Sequence, residues 1–270
     1  MFGRLFGAKT PILDSLPEVR GKYIENAKLA KHTWFGVGGP AEVLFLPEDA
    51  DDLKTFLMRK PAAIPVTVIG GGSNLLIRDG GIPGVVVKLE APAFRQVKFD
   101  GAEVTVGAGL KNSDLKKALI DNGVGGLEFI CSVPGRIGGL LRTNAGCFGK
   151  TVSDVFVRAH IMNDWGQIYE TGAEDFNFSY RSSMFPENWI VLDATLKGVK
   201  AAPEEIRKTM DEQLAYRLAH QPINKKTAGS TFKNPEGLQA WKLIKEAGCA
   251  GLKVGGAEVS DMHCNFLINR

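Results

Sequence analysis

Two glycine-rich stretches hold the residues best suited to chemistry in this 270-residue chain. The first, VIGGGSNLLIRDGG at 68–81, leaves an apolar run and presents Gly70, Gly71 and Gly72 ahead of Ser73 and Asn74. Successive N–H groups in such a bend form a concave nest that favours anions. Three bare backbone units in a row cost entropy unless something must approach them closely. The second, GLEFICSVPGRIGGLLRTNAGCFG at 126–149, offers Gly135, Gly138, Gly139, Gly146 and Gly149, with Asn144 and Ala145 between them. A loop that long inside a compact domain is usually functional. Two such stretches suit a long cofactor threaded between loops, and a diphosphate-bridged dinucleotide has that shape.

Rival phosphate-binding patterns fail on spacing. A G-x-G-x-x-G fingerprint counted from Gly70 needs its third glycine at Leu75, and the residues after Leu75 read as strand rather than helix. The G-K-[ST] signature is absent. A plain turn with no ligand is the bland alternative. Two residues suffice to turn a hairpin, whereas glycine, serine and asparagine are concentrated here. Cys131, Cys147, Cys249 and Cys264 are far apart, and His32, His160, His220 and His263 have no ligand spacing, so no metal site is expected. Ordinary thiols suit a reducing compartment.

The elements that must position these bends alternate strand and helix over the first two hundred residues. Strands are expected at 41–47, 65–69, 84–89, 102–109, 155–162, 167–171 and 190–198. Residues 48–60 predict a helix with acids first, a base last, and Leu53, Phe56 and Leu57 on one face. Residues 112–123 predict another, with Ser113 as N-cap and Gly123 past its end. A helix over 203–222 has its period on Ile206, Met210 and Leu214 and stops at Pro222. Beyond it come a short helix at 240–248 and a final strand, CNFLIN. The expected division is an N-terminal segment 1–30, two subdomains at 31–90 and 91–200, and a last domain from 201 to 270.

Bulk properties narrow the partner. At 44% hydrophobic the chain buries a substantial core. A net charge of +3 without a basic stripe suits a small anionic ligand rather than nucleic acid. No apolar run approaches the roughly 18 residues of a membrane span, and the start lacks a signal-peptide pattern, so a cytoplasmic protein without membrane insertion is expected. Phe2, Leu5 and Phe6 read as a short docking segment or loose terminus.

Seven segments in order, from about residue 30 to 269, resemble the UDP-N-acetylenolpyruvoylglucosamine reductase (MurB) family: HTWFGVGGPAE, GGGSNLLIRDGG, GLEFICSVPGRIGG, NAGCFG, FSYRSS, QPINKKTAGSTFKNP and GGAEVSDMHCNFLIN. The resemblance implies an α+β (mixed α/β) fold: a two-subdomain FAD-binding fold of the vanillyl-alcohol-oxidase/PCMH type with a smaller C-terminal substrate domain. It implies noncovalent FAD, NADPH as co-substrate and the enolpyruvyl ether of UDP-N-acetylglucosamine as substrate, in a monomer or weak oligomer. The short interval from Arg181 to Ser230 resembles the branch without a substrate-covering insertion (type II).

The family reaction is a conjugate reduction, in which hydride reaches the terminal vinyl carbon and a proton reaches the inner one. Such a site needs cations at the substrate carboxylate and a positioned proton donor. Arg181 matches the carboxylate-binding arginine, a planar and permanently charged group, and Ser230 matches the proton donor. Lys233 and Asn234 stand ready to stabilise a serine alkoxide. Tyr180, Arg217 and Gln221 are expected as further substrate or flavin contacts. For the cofactor the resemblance assigns Gly70, Gly71, Gly72, Ser73 and Asn74, then Gly135, Gly138, Gly139, Asn144, Ala145 and Gly146. Arg142 would balance phosphate or flavin charge, or pair with an acid.

This sequence departs from the family pattern in two places. The family carries a catalytic glutamate beyond the NFLIN segment, whereas this sequence stops at Arg270. Glu258 lies in a different motif and does not fill that role. A truncated chain is therefore expected, its last strand lacking a neighbour and leaving a bare sheet edge. Arg136, Leu140 and Leu141 stand where the family more often uses small residues. Two other readings stay open: a flavin oxidase of the same fold, tethered through Cys131 or Cys147, and a catalytically impaired flavin- or nucleotide-sugar-binding module.

Overall fold

The computed structural model describes residues 11–270, so the docking role expected of Phe2, Leu5 and Phe6 lies outside the described residues. Three sheets of four or five strands follow one another along the chain, with two short two-stranded pairs beside them. The first has strands β1 (Lys22–Lys28), β2 (Pro40–Leu46), β3 (Val66–Val68) and β4 (Ile82–Val87) in the order β1-β2-β4-β3. The strand β1, from the segment set apart as 1–30, joins this sheet antiparallel to β2, while β4 runs parallel to both β2 and β3. Between β2 and β3 lies helix α1 (Ala50–Arg59), N-capped by Asp49, whose side chain accepts from the Asp52 N–H. Its apolar face, Leu53, Phe56 and Leu57, is buried as its period predicts. Both faces of the sheet are covered: Val43, Phe45, Val85 and Val87 join the main core, and Leu44 and Val86 a smaller one.

The second sheet is antiparallel, built of β5 (Val97–Asp100), β6 (Glu103–Gly107), β7 (Phe156–Met162), β8 (Ile168–Thr171) and β9 (Ile190–Lys197) in the order β8-β7-β9-β6-β5. Helix α2 (Leu115–Asn122) is preceded by a 3-10 turn at Asn112–Asp114. Ser113 does not cap it; its hydroxyl turns to Asp114 instead. Gly123 closes the helix in the left-handed conformation, as expected. The stretch 126–149 is less irregular than its glycine content suggests, for it contains helices α3 (Glu128–Ser132) and α4 (Ile137–Arg142). Helix α5 (Pro203–His220) packs on α2 and α3 through buried Ile206 and Met210, while Leu214 is 45% exposed. Helix α5 therefore packs with the elements that precede it in the chain.

The third sheet contains β10 (Lys226–Ser230), β11 (Lys253–Val254), β12 (Ala257–Val259) and β13 (Phe266–Asn269), ordered β10-β13-β12-β11, with helix α6 (Ala240–Glu246) inserted after β10. The last strand is not an edge. Strand β13 pairs antiparallel with β10 on one side and β12 on the other, so the bare sheet edge expected there is absent.

Candidate functional site

The first glycine bend leaves the sheet where Ile69 donates to Val87 O, and beyond it the N–H groups of Gly70 through Asn74 meet no acceptor among the described residues. Such a run is the nest the sequence predicts. Two of its glycines are required by the protein itself. A Cβ on Gly71 would lie 2.9 Å from Gly135 Cα. Gly72 has φ +66°, and a Cβ there would reach 2.1 Å from His32 O. Gly70 is different: its bare face meets nothing closer than Arg136 Cβ at 3.9 Å. The two bends are also stitched together, Ser73 Oγ donating to Pro134 O at 3.0 Å.

The second bend enters α4. Gly139 meets nothing within 4 Å, so its bare face, like that of Gly70, opens onto a shared cavity. Gly138 does not line that cavity; its N–H donates to Ala108 O and its bare face packs on the Ala108 side chain. Asn144 is also displaced from the wall. It is buried and works as a clamp, donating to Ser179 O at 3.0 Å and accepting from the Ser153 N–H at 3.1 Å. Ala145 and Gly146, beside it, do reach the cavity. Leu140 and Leu141 are core residues, and Arg142 holds the carbonyls of Phe185, Pro186 and Glu187 while covering the Phe185 ring. Among the described residues no acid pairs with it.

The cavity measures about 560 Å³ and is lined by the two glycine bends, the turn at Tyr180–Arg181, the end of α5, and strands of the first and third sheets. Tyr180 and Arg181 sit at the tip of a turn closed by reciprocal hydrogen bonds between Ser179 and Ser182. Arg181 adopts φ 55°, a left-handed conformation unusual outside glycine, and its guanidinium donates to Gly146 O at 3.0 Å. Backbone strain of this kind collects at functional sites. Arg217 reaches from α5 to Ser132 O and to Gln221 Oε1, and burial pulls its pKa down. Across the cavity stand Ser230 at the end of β10, then Lys233 and Asn234. Asn234 Oδ1 accepts from the Ala240 N–H, and its own N–H donates to the Tyr180 hydroxyl at 3.4 Å. That contact joins the two sides.

Several wall residues escaped sequence reasoning. Asn265 brackets Phe232, accepting from its N–H and donating to its carbonyl, each at 2.9 Å, while the Asn265 carbonyl takes the Thr231 N–H. It thereby fixes the loop after Ser230. An asparagine before an apolar strand end was the only local signal. Cys147 also lines the cavity; its thiol contacts Ser132 Oγ and Phe129 O, and burial raises its pKa. Cys131 is off the wall, its pKa pushed up to about 12 chiefly by burial. A second space of about 390 Å³, bordered by Tyr216, Trp241 and His263, adjoins the first through Gln221, Ser230, Asn234 and Asn265. Glu258 is paired with Arg270 and lies off both walls. Among the described residues no three His, Cys, Asp or Glu side chains gather as a metal site.

Two protein-family models match the chain. An FAD binding domain profile covers residues 41–172, and the profile for the UDP-N-acetylenolpyruvoylglucosamine reductase C-terminal domain covers 221–270. A protein of Paramagnetospirillum magneticum named UDP-N-acetylenolpyruvoylglucosamine reductase is 49% identical over 95% of this chain and 83% of its own length. The chain belongs to the UDP-N-acetylenolpyruvoylglucosamine reductase family. A Bradyrhizobium relative of the same name is 48% identical over 96% of this chain and 85% of its own. The crystal structure of the reductase from Thermus caldophilus superposes with a TM-score of 0.81 at 34% identity, covering 93% of this chain and 89% of that one. A moss protein, Physcomitrella patens BBE-like 1, shares the fold alone, with a TM-score of 0.56 at 20% identity over 71% of this chain and 45% of its own. The fold expected from the sequence is thus the fold observed.

Proposed function

We infer that this reductase-family chain converts UDP-N-acetylglucosamine enolpyruvate to UDP-N-acetylmuramate in peptidoglycan synthesis, using FAD and NADPH. The observation that carries the inference is near-half identity to reductases of that name over almost the whole chain. The residues fit FAD on their own terms. A run of unpaired N–H groups at 70–74 suits phosphate oxygens, and the bare faces of Gly70 and Gly139 leave room beside it. The cavity falls in the size range of cofactor sites. Among the described residues Cys147 is the one thiol on the wall, and its raised pKa keeps it a neutral thiol, which supports noncovalent binding over a tether.

When bound, FAD would be held by the N–H groups at 70–74 beside Gly139 and would supply the two-electron hydride chemistry that links NADPH to the terminal vinyl carbon of the substrate. Negative charge then develops on the inner carbon and its carboxylate. Arg181 is assigned to that carboxylate. Its backbone and its bond to Gly146 O hold the guanidinium in place before substrate arrives, and preorganised charge is where such sites gain most. Ser230 is assigned to deliver the proton to the inner carbon, with Lys233 three residues on to stabilise the alkoxide left behind. Tyr180, Arg217 and Gln221 complete the polar lining, and the nucleotide sugar would extend past Ser230 into the adjoining space. Such a reaction belongs in the cytoplasm with its reductant; among the described residues no helix is long and apolar enough to cross a membrane.

The test is NADPH oxidation by the FAD-loaded protein. Consumption should depend on the enolpyruvyl nucleotide sugar and yield its lactyl ether. Consumption of NADPH with oxygen alone would favour an oxidase, and none at all a binding module.

A further inference from the structure

Behind the cradle lies a group of charges that the reaction does not use. Arg136, 9% exposed, donates one guanidinium nitrogen to Gly109 O and places another 3.1 Å from Glu90 Oε1, while its Nε–H meets no acceptor among the described residues. Glu90 also binds Lys88 Nζ at 2.9 Å, and Lys88, 6% exposed, donates to His32 Nδ1 at 2.9 Å. These contacts tie the end of β4 to both bends, since His32 O sits against Gly72 and Arg136 starts α4. The charges do not cancel. Lys88 and Arg136 bring two positive charges, Glu90 one negative, and His32 is kept neutral by burial and by Lys88, leaving +1. Arg95 and Asp114, the other charges acting on Arg136, oppose one another. A buried cation without full compensation is costly, and this one lines the cavity beside the unpaired N–H groups of the nest.

We propose that Arg136, braced by Glu90 and Lys88, is a cofactor-positioning residue whose surplus positive charge serves the diphosphate of FAD. This rests on FAD being the occupant of the cavity. The charge acts across the bend at Gly70, whose bare face lies against Arg136 Cβ, while Glu90 prevents the guanidinium from swinging into the cavity itself. An arginine where a small residue would pack therefore has a purpose that packing alone does not supply.

The experiment uses protein stripped of flavin and titrated with FAD and with riboflavin, which lacks the phosphates. Arg136→Met keeps an unbranched stem and removes the charge; Arg136→Lys keeps the charge. The Met variant should bind FAD roughly 10- to 100-fold more weakly, the range for losing one partly screened charge pair, with riboflavin affinity within about twofold of wild type. Arg136→Lys should recover most of the loss. In wild type, added KCl should weaken FAD binding more than riboflavin binding, a readout that needs no variant. Equal losses for both flavins, no loss for either, or equal salt dependence would overturn the proposal. Wild-type protein that binds neither flavin would instead overturn the FAD reading on which it rests.

Discussion

Residues up to the end of α5 and residues 221–270 are built differently. The former wrap their sheets and helices around two apolar clusters, the larger running from Val43 on β2 to Met210 on α5. In the latter the buried apolar side chains are Pro222, Ala240, Cys264 and Phe266, matched in number by the buried polar Thr227, Glu258, Ser260 and Asn265. Hydrogen bonds such as Asn269 Nδ2 to Phe35 O and Asn234 N–H to Tyr180 attach this part to the rest. The contrast parallels the division of labour. The glycine bends proposed to hold the cofactor are set in dense packing, where a preorganised backbone can be held, and Ser230, the proposed proton donor, stands on a thinner element.

The largest effect that would test this division is at Ser230. Ser230→Ala should slow oxidation of the reduced flavin by substrate about 10²–10⁴-fold, the scale for losing an acid–base group, while reduction by NADPH and FAD affinity stay unchanged. Rapid-mixing absorbance separates the two half-reactions; an equal loss in both would place Ser230 with the cradle. Phe266→Ala comes next, at about 3–5 kcal/mol for a buried aromatic side chain. Hydrogen exchange should then quicken at β10 and β13 while β2 and β9 stay protected. Uniform quickening would mean the two parts unfold as one. Asn265→Ala removes the bracket around Phe232 and should cost about 1–3 kcal/mol, raising the substrate KM with little change in FAD binding.

The smallest effect is on pH. Burial and Lys88 lower the pKa of His32, so the unfolded chain binds the proton more readily than the folded one. Stability should therefore fall as pH drops through the ordinary histidine pKa, about 6.5, toward the lower folded value. Burial acts on His263 in the same sense. Burial alone would raise the Glu90 pKa, but Lys88 and Arg136 outweigh it and hold it low, giving a further loss at more acid pH. His32→Gln should flatten the first slope in thermal melts, and an unchanged slope would remove His32 from the account.

Local patterns made much of this legible. The apolar run Val43–Leu46 marks β2, and the acids and apolar spacing of 48–60 mark α1. The anion nest was readable because glycine, serine and asparagine crowd into one bend. What sequence could not distinguish was the reason for each glycine. Gly71 and Gly72 answer to Gly135 and His32, partners far away in the chain, whereas a Cβ on Gly70 would make only ordinary contact with Arg136 Cβ at 3.9 Å and one on Gly139 would meet nothing within 4 Å. Substituting Gly71 or Gly72 would therefore disturb the fold as well as the ligand. The reach of Asn144 to Ser179 and the pairing of Arg136 with Glu90 likewise depend on contacts between distant segments. A pairing partner for the last strand could not be counted locally, because β10 and β12 approach it from opposite sides.

The central claim, that the two bends cradle FAD, is tested most directly at Gly139. A Cβ there touches no protein atom within 4 Å and points into the cavity. Gly139→Val protein, stripped and titrated with FAD, should keep a cooperative thermal transition but bind the flavin at least about 100-fold more weakly, a steric exclusion of close to 3 kcal/mol. Folded Gly139→Val protein that binds FAD with wild-type affinity would contradict the account.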